Sequence, residues 1–142
     1  MYLAEALVLR DTLEAKIKEL RIILVCLARD EKGKKKEIDN AVSRLYDFVE
    51  QYQKQNILIN KVYNEVEIKI GESEVSMVNA MILLDSMNTK MEILTELVDV
   101  LKNNNTSGFD LFEMLDNRDK IEKDYNVIDA QIDGSKWRVK LS

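Results

Sequence analysis

Few residues in this chain could do chemistry. Its 142 residues include no histidine and a single cysteine, Cys26. Without histidine there is no Ser-His-Asp or Cys-His nucleophile system, no His-ligated zinc and no Glu-x-x-His di-iron pattern. Acid–base work would fall to carboxylates, lysines, tyrosines and the lone thiol. That thiol has neither a second cysteine nor a histidine with which to build a metal site. Lying near Ile22 and Val25, it reads as a small apolar side chain packed on its helix. No intrachain disulfide can form, and nothing in the cysteine usage suggests an oxidising compartment. Lys32-Gly33-Lys34 lacks the spacing of a phosphate-binding loop. No catalytic residue, cofactor site or metal site is expected, and the chain reads as non-enzymatic.

Charged residues offer two weak constellations. Asp110, Glu113, Asp116, Asp119 and Glu122 recur every third position. On an α-helix, at 3.6 residues per turn, such a row spirals around the axis, so it reads as a solvated acidic face. A carboxylate-based metal site or enzyme between helices is the alternative that it leaves open. Lys32, Lys34, Lys35 and Lys36 sit beside Asp30, Glu31 and Glu37 with no interleaved aromatics, a pattern of a helix-end charge cluster and not of nucleic-acid binding. The net charge of −5 resides in residues 72–142, while residues 1–71 are near balance. Polyanion binding is therefore not favoured.

The elements that must position these groups are helices. Proline is absent, glycine occurs four times, and charged and apolar residues make up 33% and 46% of the chain. Turn-rich folds need proline and glycine, whereas long helices need neither. Leu3, Ala6, Leu13, Ile17, Leu20, Leu24 and Leu27 follow the 3-4 spacing of a heptad seam and predict a first helix over about 2–29, with Arg10 at the one missing position. Leu7, Leu9, Ile22, Ile23 and Val25 lie off the seam, which predicts a central helix covered on several sides. Gly33 suits the residue that ends a helix. A second helix over about 35–63 has Ile38, Ala41, Leu45, Phe48, Tyr52, Gln55, Ile59 and Val62 on its seam. The third, over about 74–102, starts near Ser73 as its cap and carries Met77, Ala80, Leu84, Met87, Met91, Leu94, Val98 and Leu101. Met81 lies beside that seam. Asn103 to Gly108 is a turn cluster. A fourth helix over about 110–132 follows, with Leu111, Met114, Ile121, Tyr125, Ile128 and Ile132 inward, Arg118 on the seam, and Gly134 past its end.

Two segments change period. Val66, Ile68 and Ile70 alternate with charged residues up to Gly71, as do Trp137, Val139 and Leu141, so a two-stranded ribbon of about 65–70 with 137–141 is predicted. The whole is read as one all-α domain, 1–142, a coiled-coil-like bundle of long antiparallel helices closed by that ribbon.

The chain resembles the septicolysin-like family of small, largely uncharacterised bacterial proteins. Tyr2-Leu-Ala-Glu-Ala-Leu7 followed by Arg10, Ile59-Asn60-Lys61, Gly71, and Asp129-Ala-Gln-Ile132 followed by Trp137 carry the likeness. It implies an all-helical fold and brings no established reaction or cofactor. The stretch between the third and fourth helices is shorter than is usual in the family.

Met1-Tyr-Leu-Ala-Glu-Ala has no basic or apolar leader character. The apolar run Ile22–Ala28 is far short of the ~20 residues needed to cross a bilayer. A cytoplasmic location without membrane or nucleic-acid partners follows as the expectation. The surplus apolar surface on the first two helices predicts a scaffold that forms a homodimer or higher homo-oligomer, with an unidentified protein partner as a further option. Arg10, Arg118, Leu7, Leu9, Ile22, Val25 and Met81 are the candidate interaction or register residues. A membrane-active, cytolysin-like protein is the remaining alternative.

Overall fold

The computed structural model describes residues 1–30, 34–103 and 110–141. The described chain is all-α, with four long helices and one β-hairpin: α1 (Leu3–Arg29), α2 (Lys35–Glu65), β1 (Glu67–Ile70), β2 (Ser73–Ser76), α3 (Met77–Asn103) and α4 (Leu111–Lys136). Gly33 and the turn cluster at 104–108, to which the sequence assigns helix ends, lie outside the described residues. The fold gathers into two compact units, one of Met1–Val62 with Trp137–Ser142 and one of Tyr63–Lys136.

In the first unit, α1 begins where the Glu5 carboxylate accepts a hydrogen bond from the Tyr2 N–H at 2.9 Å. This bond satisfies a donor that lies ahead of the helical ladder. Residues 1–3 and 139–141 then clasp each other. Leu3 N–H donates to the Val139 carbonyl at 2.9 Å, and Leu141 N–H to that of Met1 at 2.8 Å. Tyr2 and Lys140 form an antiparallel bridge, and the Lys140 ammonium lies 5.3 Å from the centre of the Tyr2 ring. Leu3, Ala4, Ala6 and Leu13 of α1 are buried, as are Ile59 and Val62 of α2. Further along, α1 and α2 meet where the Lys16 ammonium lies 5.4 Å from the centre of the Phe48 ring. There the seam thins: Ile17, Leu20, Leu24 and Leu27 are only half-buried. Gln55 occupies a seam position with a buried Oε1 that has no hydrogen-bond partner among the described residues.

In the second unit, α3 and α4 pack along their length in antiparallel fashion, and the hairpin leans on both. Ile68, Met77, Ala80, Leu84, Val98, Leu101, Ile128 and Ile132 are buried. The Ser76 hydroxyl accepts from the Asn79 N–H at 3.2 Å and caps α3. Asp110 does the same for α4, taking the Glu113 N–H at 3.1 Å. Both are side-chain caps on donors left over in a first turn.

The structure corrects the sequence reading at four points. First, β1 pairs with β2 and not with 137–141, in the register Ile68↔Val75 and Lys69↔Glu74. Gly71, at φ +62°, opens a two-residue turn that joins neighbouring strands. Closing so short a loop costs far less entropy than joining distant segments. Segment 137–141 instead contributes the clasp with Met1–Leu3. Second, α3 starts at Met77 under the Ser76 cap, because residues 73–76 are already strand. Third, α4 runs through Gly134 to Lys136. A helical glycine costs only ~1 kcal/mol, and here Ser135 Oγ bonds the Gln131 carbonyl at 2.9 Å while Lys136 pairs with Asp133 at 3.2 Å. Fourth, α1 is not covered all round, because Ile22, Ile23 and Val25 face solvent.

Two outcomes follow for stability. Gly71→Val places a β-branched residue at positive φ, with open space around its Cβ, so backbone strain alone should lower stability by ~1–2 kcal/mol in urea unfolding. Ile132→Ala, at a position 2% exposed, should cost about 2–5 kcal/mol in the same measurement.

Candidate functional site

The most distinctive surface is the outer face of α1 in its second half. Positions three and four apart share a helix face, so Lys18, Arg21, Ile22, Val25, Cys26 and Arg29 form a continuous patch, and they line a shallow surface depression. The seam residues Leu20, Leu24 and Leu27 lie on another side of the same helix. Ile22 is 67% exposed and Val25 47% exposed. Cys26 is an exposed free thiol, so it is not the packed core side chain that its apolar neighbours suggest. On α2, Tyr46, Val49 and Ile57 are exposed as well. No residue described between Glu14 and Leu58 is fully buried. The patch thus carries apolar surface that this unit leaves wet, crossed by three cations and no carboxylate.

Other sequence-designated residues have plainer surroundings. Leu7 and Leu9 are half-buried on α1. Among the described residues Arg10 reaches only its neighbour, with Nε 3.4 Å from Asp11 Oδ1. Arg118 links two helices: its Nη1 donates to Thr95 Oγ1 of α3 at 3.4 Å, and its Nη2 lies 3.9 Å from Asp119. Both distances are long, and the side chain is 31% exposed, so the pair contributes little beyond orientation. Met77 is buried, while Met81, Met87 and Met91 are half-buried on α3.

An open groove between α3 and α4 brings Arg118 near Glu92, Glu96 and Glu122. It is an open surface cleft with no enclosed volume from which water is excluded. Among the described residues, no three of Cys, Asp or Glu gather closely enough to hold a metal ion. The acidic row on α4 is dispersed: Asp110 caps the helix, Asp116 faces Lys120 at 4.0 Å and Asp119 faces Arg118. Lys34 pairs with Glu37 at 3.8 Å, and Lys32 lies outside the described residues. No described helix is long and apolar enough to cross a membrane.

Sequence reasoning overlooked the outer face of α3. Ile82, Ile93 and Val100 are each more than half exposed there. Their signal was available, since they fall off the seam and recur at whole helical turns.

The fold is similar to that in the crystal structure of a functionally unknown conserved protein from Corynebacterium diphtheriae. The TM-score is 0.85 over 100% of this chain and 99% of that one, at 21% sequence identity. This likeness concerns the fold. No protein-family model and no curated protein matches the chain.

Replacement of Arg118 by Leu should change urea stability by less than about 1 kcal/mol, as is usual for half-exposed ion pairs. A loss of several kcal/mol would show that its contacts with Thr95 and Asp119 hold α4 in place.

Proposed function

We propose that this protein is a non-enzymatic helical scaffold that self-associates, with the outer face of α1 as part of the contact. The observation that carries this reading is the exposure of Ile22 and Val25 on a helix whose opposite seam is itself only half-covered. Contiguous apolar surface of this kind marks interaction sites on soluble chains. Fully burying such side chains contributes roughly 1.5–3 kcal/mol each. Bringing two chains together costs about 4–15 kcal/mol. Four such side chains across two copies bring the balance near zero, so the association is concentration-dependent.

The resemblance to the septicolysin-like family is in keeping with this reading, because that resemblance brings no reaction to be accommodated. The lack of histidine and the dispersal of the carboxylates also support a role without catalysis. A single exposed thiol suits a reducing compartment, and we place the protein in the cytoplasm.

Sedimentation velocity tests the reading. The wild-type chain should shift to larger species as its concentration rises through the micromolar range. Ile22→Glu combined with Val25→Glu should leave a monomer with an unchanged helical circular dichroism spectrum. A wild-type chain that stays monomeric throughout, or a double variant that associates as wild type does, would refute it.

A further inference from the structure

The outer face of α1 has an unusual charge pattern for a chain of net charge −5. Lys18, Arg21 and Arg29 accompany Ile22 and Val25, and no carboxylate lines the patch. Among the described residues neither Arg21 nor Arg29 has an ion-pair partner, and Lys18 meets only the exposed Glu14 at 3.6 Å. A surface that would bury this patch needs an apolar stripe of its own and carboxylates alongside it, since unpaired cations are costly to desolvate.

The outer face of α3 has that composition. Ile82, Ile93 and Val100, exposed by 60%, 55% and 55%, recur at whole helical turns and so make one stripe away from the α3 seam. Asp85, Glu96 and Asp99 are exposed beside it, with Lys90 and, from α4, Lys120 on its other flank near Ile93. None of these three carboxylates has an ion-pair partner among the described residues. One helix therefore offers unpaired cations with apolar residues, and another offers unpaired carboxylates with apolar residues.

We infer that the outer face of α1 docks on the outer face of α3 in a second copy of this chain, cations against carboxylates and apolar stripe against apolar stripe. This inference rests on the self-association reading and specifies the two unlike surfaces that meet. An interface of unlike surfaces differs from one in which α1 packs on α1, where like cations would face each other. It also makes the association sensitive to salt, because exposed charges are screened.

Two complementary charge-reversal variants test it. One carries Lys18→Glu, Arg21→Glu and Arg29→Glu; the other carries Asp85→Lys, Glu96→Lys and Asp99→Lys. Each alone should self-associate at least about tenfold more weakly than wild type, since like charges now oppose across the contact. An equimolar mixture should recover association to near the wild-type level, because the reversed faces complement each other. If the α3 variant associates as wild type does, or the mixture fails to recover, this inference falls while self-association stands. A monomeric wild type removes both. Where circular dichroism shows that a reversed variant has lost helix, Arg21→Gln with Arg29→Gln and Asp85→Asn with Glu96→Gln replace the two sets. Each neutral pair should weaken self-association at low salt and leave it unchanged at high salt. Unchanged association at low salt would overturn the inference.

Discussion

Burial of one narrow apolar stripe per helix is the interaction on which the rest of this structure depends. A helix returns the same face every third and fourth residue, and a stripe of leucine, isoleucine and methionine on that face leaves water only if another stripe meets it. The chain has neither disulfide nor metal site among its described residues to substitute for that burial. Where stripes meet fully, side chains such as Leu3, Ile59, Met77 and Ile132 are almost completely removed from solvent. Along the middle of α1 and α2 they meet incompletely, and the seam is half wet.

Polar residues placed on those seams explain part of the difference. Gln55 interrupts the α2 stripe with a buried oxygen that finds no partner among the described residues, a situation that costs about 1–3 kcal/mol. Arg10 interrupts the α1 stripe and turns to its own neighbour, Asp11. Arg118 interrupts the α4 stripe but reaches across to Thr95 of α3, at the edge of the open groove between the two helices. The same type of residue thus ends differently according to whether a hydrogen-bonding side chain stands opposite.

Incomplete burial also leaves the protein with surfaces suited to other chains. Several of the apolar side chains that the fold does not cover lie together on helix faces. On α1 they share the face with cations, and on α3 with carboxylates. Such segregation of sign is unneeded for folding, where neighbouring opposite charges at helical spacing would serve better. It does favour recognition, because charge pattern sets which surfaces can meet.

Four helices, their order and most of their inward residues could be read from periodicity and from the absence of proline, because both act within a few residues of sequence. Met77, Ala80, Leu84, Val98, Ile128 and Ile132 were placed on seams by spacing alone and are buried. The partner of the strand at 67–70 could not be read this way. Alternation marks a strand but not its neighbour, and only the fold shows that the Gly71 turn brings 73–76 against it while 137–141 clasps Met1–Leu3. The course of α4 through Gly134 was likewise beyond a reading of glycine as a stop: the helix continues to Lys136, where Ser135 bonds the Gln131 carbonyl and Lys136 pairs with Asp133. The candidate surface divides the same way. Spacing identified Ile22 and Val25 as surplus to the α1 seam. Whether another part of the chain covers them is a property of packing at long sequence separation, and the structure leaves them exposed.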